Sequence, residues 1–418
     1  MWLLNTSNLE LEEFYGDIPK YAILSHTWAR DEISFREMRK MKNWASAVKK
    51  AGFVKIEQTC LLALQDNLRY AWVDSCCIDK SSSAELSEAI NSMYTWYRNA
   101  TVCYTYLEDV SQSEIDPRAS TKDEFTKCRW FTRGWTLQEL LASDHLRFYS
   151  KSWTLIGMKE DLIERISTIT GIHQSVLRND GSAERTSAAQ KMNWASKRKT
   201  TRVEDQAYCL MGIFDVHMPL LYGEGIKAFQ RLQLEIIKTC SDDSIFAFQK
   251  SSGLGGALAH QPSDFQDAVG IRRGIRHRPY FVANTGLQIH GRIIGGDEQC
   301  SGECAIFAAG GAECGHQPCY FLLESRFHPD DYEAGQLDYI GVRLQPINVP
   351  QKIFARFAHA PLQVVLTSDL KVRWKGDITI VLSGMAQAKD DHFKDRRAWM
   401  EACLDLHREQ VFAPTSFF

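Results

Sequence analysis

Tyr21-Ala22-Ile23-Leu24-Ser25-His26-Thr27-Trp28 is a short apolar run that ends abruptly in hydroxyl, imidazole and indole groups. The next signal changes period: Phe53, Ile56, Cys60 and Leu64 recur at three- and four-residue intervals, the apolar stripe of a helix. A second short run, Tyr70-Ala71-Trp72-Val73-Asp74, follows and again ends on a polar residue. Strand, helix and strand at this length read as a βαβ unit with parallel strands.

Working outward, Leu86, Ile90, Met93 and Tyr97 mark another amphipathic helix, opened by Ser81 to Ser83, and Val102 to Leu107 is the next strand candidate. Residues 109–126 are polar, contain Pro117 and read as a surface insertion. Trp135 to Leu141 resumes as helix and His145 to Tyr149 as strand. The alternation predicts an α/β domain over 1–153 with an open, mostly parallel, flavodoxin-like sheet. Residues 154–250 read as a helical extension, in which Leu162, Ile163, Ile166 and Ile169 end before Gly171 and Phe229, Leu232 and Ile236 form a further stripe. A Ser/Gly-rich linker over 251–257 leads into a β-rich C-terminal domain, 258–418, with strand-type runs at 280–283, 287–294, 319–323, 339–344, 363–366 and 378–382.

Composition narrows the function. With 49 Lys plus Arg against 52 Asp plus Glu the net charge is −3, and 44% hydrophobic with 24% charged residues is ordinary for a globular protein. Binding of nucleic acid through bulk charge is excluded, and the local basic runs Lys197–Arg202 and Arg272–Arg278 read as solvated faces. No apolar run approaches the ~20 residues that span a bilayer, and the Met-Trp-Leu-Leu-Asn start turns polar too early for a secretory signal, so the expected compartment is the cytoplasm. There the 12 cysteines, Cys103 and Cys209 among them, read as buried thiols. No metal site is expected, although Cys300, Cys304, Cys314, His316 and Cys319 lie close enough in sequence to leave a zinc reading open. Neither a Walker A loop nor a Rossmann glycine fingerprint occurs.

Ligands of an open parallel sheet bind beyond the carboxyl ends of its strands. That rule selects Ser25, His26 and Trp28 after the first strand, and Asp74 and Cys77 in the Asp74-Ser75-Cys76-Cys77-Ile78-Asp79 segment after the second. Together they suit a polar ligand with a flat ring.

These segments, with Arg129-Trp130-Phe131-Thr132-Arg133-Gly134-Trp135-Thr136-Leu137-Gln138-Glu139-Leu140-Leu141, resemble the three signature blocks of the fungal heterokaryon-incompatibility (HET) domain. The run Glu204 to Val216 and the Leu-Tyr-Gly-Glu-Gly turn after it resemble the segment that commonly follows that domain, so the resemblance covers about residues 1–250. One departure is Ala29, where the family usually has Gly. The order of elements is also distantly similar to the TIR domain. In TIR enzymes that cleave NAD⁺, a Trp-Cys-x-x-Glu-Leu pattern carries the catalytic Glu; Glu139 matches it, with Thr136 in place of the Cys.

The resemblance implies a cell-death effector of nonself recognition, active as a homo-oligomer, with an incompatibility protein as partner. By analogy with TIR enzymes it would hydrolyse NAD⁺ as substrate and need no cofactor. Glu139 would be catalytic, and Ser25, His26, Trp28, Asp74, Cys77 and Trp135 would contact the nucleotide. Three other readings stand beside it: Glu139 as a solvated or ion-paired helix carboxylate near Arg129 or Arg133, a thiol hydrolase built on Cys77, His26 and Asp74, and a non-catalytic module that assembles death-signalling partners.

Overall fold

The structure is a computed structural model and describes residues 1–40, 50–111, 123–181, 185–249, 254–255, 257–273, 280–283, 286–294, 319–327, 338–348, 353–357, 363–365 and 372–380. The chain divides into two compact units, Met1–Arg185 with Lys197–Ala228, and Thr186–Ser196 with Phe229–Phe418.

In the first unit the expected strands form at Tyr21–His26 (β3), Tyr70–Trp72 (β4), Val102–Tyr106 (β5) and Leu146–Tyr149 (β6), preceded by a hairpin of β1 (Trp2–Asn5) and β2 (Leu11–Glu13) and followed by β7 (Leu155–Met158). The seven strands lie in the order β2-β1-β4-β3-β5-β6-β7. The four central ones are parallel, and β1 and β7 pair antiparallel at the flanks. An α/β domain with an open sheet is therefore present, and the sheet is wider than its central alternation announces. The hairpin strands are only four and three residues long, too brief for periodicity to register. Leu155–Met158, in the stretch expected to be helical, is a strand because it pairs with β6 as an edge strand that is not fully buried.

Helix α1 is Phe35–Lys40, α2 Ala51–Gln65, α3 Ser83–Asn99 and α4 Thr136–Ala142. Ser82 caps α3 by accepting the Glu85 N–H. From β3 the chain passes through α2 to β4, then through α3 back across to β5 on the other side of β3. Right-handed crossovers put α2 and α3 on opposite faces, and the reversal leaves a crevice at the carboxyl ends of β3 and β5. Helix α4 has all seven residues buried and packs against α3, a helix with no solvent face of its own. The Cys76, Cys77, Cys103 and Cys209 thiols are free and buried.

The segment from Lys197 onward closes the unit. Its Met211–Ile213 turn lies on α3, where Gly212 approaches Tyr94 so closely that an added Cβ would stand 2.2 Å from the Tyr94 Cβ. Glu204 anchors the following turn by accepting the Gly223 and Gly225 N–H groups, and both glycines have positive φ.

In the second unit the backbone forms a nine-stranded sheet, antiparallel in every pairing except Ile353–Phe357 with Val372–Ile380. Its strands overlap all six expected runs, of which residues 366, 381 and 382 lie outside the described residues, and Ile353–Phe357 is a further strand that no expected run covers. Residues 112–122 of the polar insertion, 251–253 and 256 of the linker, Arg276 to Arg278, and Cys300, Cys304, Cys314 and His316 lie outside the described residues. Among the described residues no helix is long and apolar enough to cross a membrane.

The Gly212 contact makes a direct prediction. Gly212→Ala must displace Tyr94 or the turn, and is expected to destabilise the first unit by about 1–3 kcal/mol. Urea unfolding followed by tryptophan fluorescence measures it; a loss under ~0.5 kcal/mol would mean that the two segments are not so closely packed.

Candidate functional site

At the carboxyl end of β3, Ser25 is wholly buried and its hydroxyl serves two partners. It accepts the Trp130 indole N–H at 2.8 Å and donates to the Glu139 carboxyl. Trp130 is itself fully buried, with its ring edge-on to Phe131 and Phe148, so the donor is fixed by packing. Thr136 ties the first turn of α4 to the preceding 3₁₀ turn, its Oγ1 donating to the carbonyls of Trp130 and Arg133. Glu139, one turn further on, is 4% exposed. Burial is the main cause that pushes its pKa up to about 8; the Ser25 hydroxyl and the more distant Arg198 and Arg133 charges oppose the rise and the Asp74 charge adds to it.

A second hydrogen-bonded chain runs beside the first. Lys55, on the buried face of α2, points its ammonium at Glu32 (2.6 Å), the Thr27 carbonyl (3.1 Å) and His26 Nδ1 (3.3 Å). An ammonium can only donate, so Nδ1 accepts and the ring proton sits on Nε2, which faces Asp74 Oδ1 at 2.9 Å. Asp74 Oδ2 accepts the Trp28 indole N–H at 2.8 Å. Burial disfavours the Asp74 charge, but the His26 hydrogen bond, the Lys80 charge and the Trp28 hydrogen bond outweigh it and hold the carboxyl below its ordinary value. Trp28 is 46% exposed, and the Lys80 ammonium lies 3.6 Å from its ring centroid. Ala29, in the usual glycine place, has no positive φ, and its N–H goes to Glu32.

Both chains border one cavity of ≈ 360 Å³, near the lower end of the range for small-molecule pockets. His26, Trp28, Asp74, Trp135 and Glu139 line it, and Ser25 stands behind Glu139. The structure thus brings together six of the seven residues that the sequence selects. Cys77 is the exception: its sulfur accepts the Val73 N–H within the turn, and the neighbouring Ile78 lines the cavity instead. Among the described residues no hydrogen bond joins Cys77 to His26, whose nitrogens face Lys55 and Asp74, so the thiol-hydrolase arrangement is not formed. Nor is Glu139 a solvated carboxylate, since it is buried, and Arg129 turns instead to Thr27 and Glu108.

Sequence reasoning left out the rest of the wall. Ile78, Leu86, Ile90 and Met93 supply an apolar side, and Lys80, Arg133, Arg202, Asp205 and Tyr222 a polar one. The Tyr222 hydroxyl donates to Asp205 at 3.0 Å. Burial raises the Asp205 pKa, and the Tyr222, Trp135 and Arg202 groups limit the rise. One sign was available for Lys55, a charged residue in a core-facing register beside Ile56. The Arg202–Tyr222 wall gave no local signal, because it joins the cavity only through the return of the chain after Ser196.

Residues 21–123 match the family model of the heterokaryon incompatibility protein (HET). The chain carries a HET domain. It is 48% identical over 237 residues, 56% of this chain, to the vegetative incompatibility protein HET-E-1 of Podospora anserina. That stretch is 17% of the relative, so the chain spans only a small part of the relative's length. No solved structure matches. The family match takes in the HET-domain strands β3, β4 and β5 with His26 and Asp74, whereas Glu139 and the Arg202–Tyr222 wall lie beyond residue 123.

The raised pKa of Glu139 carries a stability consequence. Between the ordinary value of 4.5 and the folded value of about 8, the native state keeps a proton that the unfolded chain releases. The associated stability is full below pH 4.5 and lost as pH rises through 8. Glu139→Gln, which stays neutral, is expected to gain on wild type by of order 3 kcal/mol between pH 5 and pH 8. Urea unfolding at the two pH values tests this, and a pH-independent difference would show that Glu139 ionises normally in the fold.

Proposed function

We propose that this HET-domain chain acts in heterokaryon incompatibility by hydrolysing NAD⁺ at the bond between nicotinamide and ribose. The observation that carries the reading is the carboxyl of Glu139, 4% exposed, lining a cavity that also offers the rings of Trp28, Trp135 and Tyr222. Nicotinamide in NAD⁺ is a cationic pyridinium, so it leaves as a neutral base without being protonated. The C1′–N bond breaks, its electron pair stays on the nicotinamide nitrogen, and water supplies the oxygen that bonds to C1′ while releasing a proton. What the transition state needs is negative charge near the developing oxocarbenium.

Glu139 supplies that charge in its ionised form, and the cationic substrate favours that form. Asp74 is held by His26 and Trp28 and serves to position the Trp28 ring. The apolar wall of Ile78, Leu86, Ile90 and Met93 keeps water sparse and strengthens the electrostatics inside. Activity in the self-associated state, and an incompatibility protein as partner, belong to the same proposal.

A second reading, a non-catalytic assembly module, rests on α2, where Val54, Leu61 and Leu64 are 39%, 46% and 43% exposed along one helical face. The two readings separate by substitution: the enzyme needs Glu139, and the module needs the α2 face.

Purified protein incubated with NAD⁺ at high protein concentration should release nicotinamide. Glu139→Ala should lower the rate by about a hundredfold or more, and wild-type kcat/KM should rise with pH towards about 8 as Glu139 ionises. Absence of nicotinamide, or equal rates in Glu139→Ala, overturns the hydrolytic reading.

A further inference from the structure

The proposed bond cleavage makes no use of three cations that line the cavity, Lys80, Arg133 and Arg202. Two of them come from neighbouring segments, since Arg133 bridges Lys199. Arg133 Nη2 donates to Thr201 Oγ1 at 3.3 Å, which brings its guanidinium to the residue adjoining Arg202. The Arg202 guanidinium lies 4.4 Å from the Tyr222 ring centroid, so an aromatic surface holds it while its N–H edge stays open. Among the described residues neither arginine takes part in an ion pair.

The carboxyls of the cavity have other hydrogen-bond partners. Asp74 is held by the His26 and Trp28 N–H groups, Asp205 accepts the Tyr222 hydroxyl, and Glu139 is hydrogen-bonded to Ser25 in a buried position. A cavity lined by two guanidiniums, a further ammonium at Trp28 and three aromatic rings is matched by a ligand that joins flat rings through a multiply charged anion. We infer that Arg133 and Arg202, with Lys80, bind the diphosphate of a dinucleotide, so that the site selects phosphate-bearing substrates over nucleosides. The inference rests on the nucleotide reading of this cavity and goes beyond it by assigning a phosphate arm. Arg202 comes from the Lys197–Ala228 return of the chain. Residues beyond the family match would therefore set which substrates the HET domain accepts.

The test uses the full chain and two probes, ADP-ribose and adenosine, titrated by calorimetry. Wild type is expected to bind ADP-ribose at least about tenfold more tightly than adenosine, with a preference that weakens as salt rises. In Arg133→Gln/Arg202→Gln the preference should fall about tenfold or more while adenosine binding is kept. Arg202→Gln alone, at an exposed position, should show a partial loss and keeps the test informative if the double variant does not fold. Glu139→Gln should retain the preference for ADP-ribose, so a failed hydrolysis assay and a failed phosphate arm give different results. Equal binding of the two probes by wild type, or an unchanged preference in the arginine variants, overturns the assignment.

Discussion

Ser25 holds the first unit together at its most constrained point, one hydroxyl between a buried indole and a buried carboxyl. Because the Glu139 side chain sits on a helix with no solvent face, it must have a polar partner inside the protein. The nearest strand end provides one. The position of α4, the orientation of Trp130 and the register of β3 therefore have to agree, and each of the three conditions is met by packing rather than by a flexible surface contact. Burial of this acid also shapes the electrostatics of the cavity, since it raises the pKa of one of the carboxyls that line it.

The Lys55–His26–Asp74–Trp28 chain plays a complementary part. A buried ammonium is costly unless fully hydrogen-bonded, and here it is satisfied by Glu32, the Thr27 carbonyl and His26. The chain ends at an indole on the cavity rim, so a charge deep beneath the sheet edge fixes the ring that a ligand would meet. Residues that sequence reading selects as ligand contacts, His26 and Asp74 above all, are thus occupied in holding one another. Their contribution to the site is the placement of Trp28.

Much of this was legible from local pattern. The change of period between 21–25 and 53–64 fixes strand and helix, and the parallel strand ends then bring Ser25, His26, Trp28 and Asp74 to one edge. Cys77 was misassigned because a turn of consecutive residues cannot aim every side chain outward; the backbone N–H of Val73 takes its sulfur and Ile78 takes the cavity face. The flanking strands β1, β2 and β7 escaped notice for another reason. Edge strands of three or four residues are defined by their partners, not by a repeat long enough to read.

The sequence by itself determined the α/β class, the three blocks that border the cavity and the one acid of the Thr136–Ala142 helix, since each is written in short-range spacing. Only the tertiary structure decided that Glu139 is buried against Ser25, that Lys55 sets the His26 tautomer, and that Arg202 and Tyr222 complete the cavity. Those outcomes depend on contacts between residues tens to more than a hundred positions apart. Such contacts are fixed by how helices pack on the sheet and where the chain returns, which no local periodicity encodes.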